Sequence, residues 1–207
     1  MRPQRALLAV AAAVALYLGV VRERVLHWGA TPREAWGPLP GDELLPDADV
    51  VATRAVSVEA PPAAIWPWLV QMGPGRGGAY TYDWLERRLG VDIRNTDRIL
   101  PEFQQLAVGD EIPMPGYAMR VELLDPERTL ALRSSDGAWA WSFLLRPAGE
   151  RTRLLSRNRI RTAGYGWKDW LGYAVMEPGS LVMERRMLRT IKRNAERLTR
   201  EEARSRR

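Results

Sequence analysis

Cysteine is absent from this chain of 207 residues, and histidine occurs once. Without cysteine there can be no disulfide, no thiolate zinc site, no iron–sulfur cluster and no cysteine nucleophile. The one histidine, His27, precedes the predicted domain. A His-based triad or a multi-histidine metal site inside that domain is therefore excluded too. No acidic cluster has the spacing of a calcium loop. No metal and no cofactor is expected. Lysine is also scarce: Lys168 and Lys192 stand alone among 31 basic residues, which reads as coding bias.

Other features are plentiful. The chain is 46% hydrophobic and 27% charged, a globular composition, and nine tryptophans can fill a core or line a cavity. The net charge is +6. Ten basic against five acidic residues between Met176 and Arg207 place +5 of it near the chain end. A basic stripe can serve nucleic acid or an anionic membrane surface, and it can equally be a solvated helix face. No nucleic-acid recognition motif is present, so no nucleic-acid partner is expected.

The run Ala6–Val21 is apolar for 16 residues, about 24 Å as a helix, short of a bilayer core of about 30 Å. Val25, Leu26 and Trp28 could extend it, with Arg22 and Arg24 snorkelling. No clear cleavage site follows. Residues 1–26 are read as a single-pass membrane anchor, with membrane contact through residues 6–26; a cleaved signal or a buried helix are the alternatives. Residues 27–49, rich in Pro and Gly, read as a linker. Residues 50–200 form the domain, and 201–207 a charged tail.

Within the domain, Val50–Ala60 alternates as a half-buried strand, with Arg54 as an exception on its apolar face. Pro61-Pro62 starts a helix carrying Ile65, Leu69 and Met72, in which Pro67 predicts a kink or a split. Gly73–Gly78, GPGRGG, reads as a turn; it follows a helix and lacks the GK[ST] ending of a phosphate loop. A short helix is expected over Tyr80–Leu89 and a shorter element over Ile99–Leu106. Strands follow around Met119–Leu123 and Leu130–Leu132, then over Trp139–Leu145 and Arg151–Thr162. In the last of these, Arg151, Arg153, Arg157, Arg159 and Arg161 share one parity, which reads as the solvent face. The other parity points Ser156 and Asn158 inward, where each needs a partner. Gly164–Trp170 reads as a loop. A helix from Pro178 to about Thr199 carries the stripe Leu181, Leu188, Ile191, Ala195 and Leu198.

The segments APPAAIWPWLVQMG, NTDRILPEFQQLAVGDEIPMPG, ERTRLLSRNRIR and EPGSLVMERRMLRTIKRNAE resemble the SRPBCC (START-like) superfamily. They look most like its bacterial polyketide-cyclase/lipid-transport-like members, several of which carry an N-terminal membrane segment. The resemblance covers about Val50–Arg200. It implies an α+β helix-grip fold: an antiparallel sheet of six or seven strands curved around a long C-terminal helix, with an apolar ligand between them. It also implies that Trp66 and Trp68 belong to the first helix, that Tyr80, Tyr82, Asp83 and Trp84 form an aromatic patch, and that Met183 and Met187 face the cavity.

The expected function is therefore a membrane-anchored binding or carrier domain for a hydrophobic small molecule or lipid. Trp66, Tyr80, Tyr82, Trp84, Trp139, Trp141, Phe143, Ser156, Asn158, Met183 and Met187 are the candidate ligand-binding residues. One alternative is a cyclase- or dehydratase-like enzyme using Tyr80, Tyr82, Asp97, Arg98 or Asp110 as acid, base or charge partner. A second is a module that docks to anionic lipid or a partner through its basic last helix.

Overall fold

A computed structural model describes residues 17–88, 94–162 and 167–205, without the side chains of residues 18, 20, 85–87 and 167–175. A π-helical turn, Tyr17–Val21, leads into α1 (Arg22–Leu26), followed by α2 (Pro32–Trp36) and a 3-10 turn at Asp42–Leu44. Strand β1 (Val50–Val58) precedes α3 (Pro62–Val70) and α4 (Asp83–Arg88). Strands β2 (Glu111–Met114), β3 (Tyr117–Asp125), β4 (Thr129–Ser134), β5 (Trp139–Ala148) and β6 (Arg151–Ile160) follow, and α5 (Trp167–Ser205) closes the chain. All neighbours in the six-stranded sheet are antiparallel, in the order β1-β6-β5-β4-β3-β2. A long C-terminal helix against such a sheet fits the helix-grip fold.

Alternation decides what each face of the sheet buries. Val58, Val121, Leu130, Leu132, Phe143, Leu145 and Leu154 meet Ile65, Trp68 and Leu69 of α3 and Met187, Leu188, Ile191 and Ala195 of α5 in one apolar core. A β-bulge between Val121 and Leu123 shifts the register of β3. Pro67 neither splits α3 nor ends it. The helix α5 starts at Trp167 and runs through Pro178, so Trp167 and Trp170 are helical rather than in the expected loop; Tyr165 lies outside the described residues.

The opposite face of the sheet is not a solvent face. Leu39, Ala55, Leu144 and Leu155 form a second buried cluster. Of the stretch 27–49, expected as a linker, residues 30–47 lie on this face and are held there by the arginines of β6. Arg153 forks onto Glu34, with Nε–Oε1 2.8 Å and Nη2–Oε2 2.9 Å. Arg157, 2% exposed, donates to Thr53 Oγ1, to the carbonyls of Glu34, Ala35 and Gly37, and to Asp42. Arg159 donates to the carbonyls of Leu45 and Pro46, and Arg161 to Asp47. A Cβ on Gly41 would meet Ser142 Oγ at 2.2 Å, so only glycine lets the segment lie this close to the sheet.

The single-pass membrane localisation needs correction. Among the described residues no helix is long and apolar enough to cross a membrane. Most of the expected span, residues 1–16, lies outside the described residues. Its expected extension belongs to the domain instead. Val25 and Leu26 are each 7% exposed, Trp28 packs against the main core, and the Val25 carbonyl accepts from Arg54. Arg22, expected to snorkel, pairs with Glu177 at 2.6 Å. Burial in protein, not in lipid, removes these apolar side chains from water.

Candidate functional site

The antiparallel pairing of β5 with β6 sets Trp141 opposite Asn158 and Phe143 opposite Ser156, and β1 adds Arg54 beside Ser156. The period of two aims all of them at α5. Trp139 and Trp141 stack with ring centroids 5.2 Å apart, and Trp141 meets Phe143 at 4.7 Å. Trp139 and Trp141 are half-buried, whereas Phe143 is fully buried in the core. Tyr117 extends the row, 6.3 Å from Trp139.

The inward polar residues are satisfied by protein. Trp139 Nε1 donates to Asn158 Oδ1 at 2.9 Å, and Trp141 Nε1 donates to Ser156 Oγ at 2.8 Å. Asn158 Nδ2 donates in turn to Glu184 Oε1 at 3.1 Å. Glu184 forms a buried ion pair with Arg54, whose guanidinium also reaches the Val25 carbonyl and Ser180. Burial pushes the Glu184 carboxyl up, against the pull of Arg54, Ser156 and Asn158. This network ties β1, β5, β6, α1 and α5 together. Arg54 stood out in the sequence as a charge on an apolar face, and Glu184 lies one turn before Leu188 on the apolar stripe of α5. Their pairing was the missed signal: two misplaced charges of opposite sign, one on each facing element.

The remaining candidates divide. Trp66 packs against the core from α3, Met187 is 1% exposed within it, and Met183 is half-buried on α5. Tyr80 is fully buried. It donates to the Trp68 carbonyl and accepts from Gln71 Nε2, both at 3.0 Å, and burial pushes its phenol well up. Tyr82 and Trp84 lie elsewhere, along an open groove of about 370 Å³ lined by residues 80–84 and 95–97 and by α5. Thus the fold brings Trp139, Trp141, Phe143, Ser156 and Asn158 together, and it leaves Tyr82 and Trp84 in a different place.

Of the residues considered for catalysis, Tyr80 is enclosed by packing, and Asp110 closes a turn by accepting from the Ala107 amide at 2.8 Å. Asp97 and Arg98 are exposed, and among the described residues neither forms an ion pair. No group of three or more His, Asp or Glu among the described residues could hold a metal ion.

The chain matches no protein-family model and no curated protein. Several solved structures are similar to part of this chain. A putative protein of the dynemicin biosynthetic locus, DynU16, is 18% identical over 70% of this chain, with a TM-score of 0.43. The chain spans only 48% of the length of that protein. The solution structure of KanY protein is 15% identical over 71% of this chain and 97% of its own, with a TM-score of 0.45. The Polyketide_cyc-like protein Cgl2372 from Corynebacterium glutamicum is 16% identical over 73% of this chain and 92% of its own, at 0.38.

Proposed function

We propose that this chain is a START-like binding domain that holds a hydrophobic small molecule between the sheet and α5, with Trp139 and Trp141 as the wall. The observation that carries this reading is how the two tryptophans are paired. Their indole N–H groups are already bonded to Asn158 and Ser156, yet the rings remain half-buried. What they offer to a ligand is apolar ring surface with no unmet polar group, which suits an apolar molecule. Ser156 and Asn158 then serve as struts behind the wall rather than as groups that touch the ligand. The half-buried Met183 supplies a deformable surface from the facing helix.

A neutral fluorophore that brightens on leaving water, N-phenyl-1-naphthylamine, tests this in the full-length protein. Saturable binding is expected, weakened about tenfold, or about 1.4 kcal/mol, by Trp141→Ala. Trp141→Phe, which keeps an aromatic face, should retain most of the affinity. Absence of saturable binding, or equal affinity in Trp141→Ala, refutes the reading.

A further inference from the structure

The groove that holds Tyr82 and Trp84 has a floor that the proposed apolar site does not use. Two residues one turn apart on α5, Thr190 and Asn194, line it. They are 8% and 2% exposed, and among the described residues Thr190 Oγ1 and Asn194 Nδ2 have no hydrogen-bond partner. One turn earlier, Arg186 lies along the same groove, its Nε also unpartnered and its guanidinium 5.3 Å from the centre of the Tyr82 ring. Residues 186, 190 and 194 share one face of a helix by their spacing. Buried polar atoms are nearly always paired, so three in a row is a departure that calls for a ligand.

The opposite wall is held firmly. Tyr80 takes a positive φ of 58° and donates its amide to Asn95 Oδ1. Asn95 Nδ2 donates to Asp83 Oδ1 and to the Thr81 carbonyl. A Cβ on Gly78 would meet Asn95 Oδ1 at 2.5 Å, so the two chain segments of this wall touch at glycine. Asp83 and Asp97 stand exposed at the rim and balance Arg186 and Arg193 among the described lining residues. The bias of the floor therefore comes from its unmet groups. Arg186 Nε and Asn194 Nδ2 can only donate, and the Thr190 hydroxyl can donate as well.

We infer that this groove binds an oxyanion, a carboxylate or phosphoryl group, on the row Arg186, Thr190 and Asn194, with Tyr82 and Trp84 beside it for the remainder of the ligand. The site is separate from the tryptophan wall and does not rest on the reading given to it. Charge-assisted donors and an arginine held over an aromatic ring are the groups such an anion needs.

Calorimetric titration of the full-length protein with benzoate and, separately, with inorganic phosphate tests the site. Saturable binding of benzoate assigns a carboxylate and binding of phosphate a phosphoryl group. In either case Asn194→Leu and Arg186→Met should weaken it at least fivefold. Thr190→Val keeps the side-chain shape, so it should weaken binding at least threefold without lowering the thermal midpoint of the ligand-free protein. N-phenyl-1-naphthylamine binding should be unchanged in all three variants, which separates this site from the apolar one. Three results overturn the inference: no saturable binding of either anion, variants that bind like the parent chain, or a Thr190→Val protein that melts several degrees lower without anion.

Discussion

Replacing Arg157 with Met should release the N-terminal segment from the sheet. The guanidinium is 2% exposed and makes five hydrogen bonds: to Thr53 Oγ1 at 3.0 Å, Glu34 O at 2.7 Å, Ala35 O at 2.9 Å, Gly37 O at 3.0 Å and Asp42 Oδ2 at 2.6 Å. Three of these acceptors are carbonyls at the end of α2, which have no helical partner of their own. Methionine fills much of the volume but leaves Asp42 and the carbonyls facing an apolar group. Removing one partner of a buried charge network costs about 3–5 kcal/mol. That is a large share of a total stability of about 5–15 kcal/mol. In urea, with a slope near 2 kcal/mol per molar, the midpoint should fall by about 1.5–2.5 M. Limited proteolysis should cut faster within residues 27–49. Arg157→Lys should not rescue, because a compact ammonium cannot span five acceptors arranged for a planar fork. If Arg157→Met unfolds within about 1 kcal/mol of the parent chain, the segment is not clamped by this residue.

Acid should loosen the same contact in two steps. Burial holds the His27 imidazole below its ordinary value, so its contribution is present above about 6.5 and lost as pH falls through the folded value. Burial pushes the Glu34 carboxyl up, but hydrogen bonds from Arg153 and Thr31 outweigh it and leave the carboxyl low. Its contribution is present above about 4.5 and lost as pH falls further. Urea midpoints should therefore drop from pH 7 to 4, the lower step should vanish in Glu34→Gln, and an NMR titration placing His27 at or above 6.5 contradicts the first step. Within the core, Arg54→Met alone should cost about 3–5 kcal/mol by stranding Glu184, while Arg54→Met with Glu184→Leu should recover most of it. A double variant as unstable as the single one shows that the pair is not the unit described.

Much of the domain was legible because its signals are local. Period-two stripes such as Trp139, Trp141, Phe143 and Leu145 set a strand and its buried face, and Pro61-Pro62 set a helix start, before any partner is known. The parity of β6 also placed Ser156 and Asn158 inward, where each is found. What satisfies them was not legible. Their partners, Trp139, Trp141 and Glu184, are 15 to 26 positions away in the chain. Such pairs depend on strand register and on the rotation of α5, and neither can be read from one strand. Strand β2 was missed for a related reason: its four residues, Glu111–Met114, are too few for a pattern and include a proline.

By itself the sequence excluded thiol chemistry and any multi-histidine site, and it located most of the strands, the start of α3 and the apolar stripe of the closing helix. Composition and periodicity are properties of the chain alone. Only the tertiary structure decided what covers each face. The arginine parity of β6 is polar, and from the chain it reads as facing water. In the fold it faces the carbonyls and carboxylates of residues 34–47, a segment whose prolines and glycines give it no period. A polar face is stable against water or against matched acceptors, and local pattern cannot distinguish them. The same holds for the groove on α5, where the spacing of residues 186, 190 and 194 shows a shared face but not that the wall opposite leaves its donors unmet.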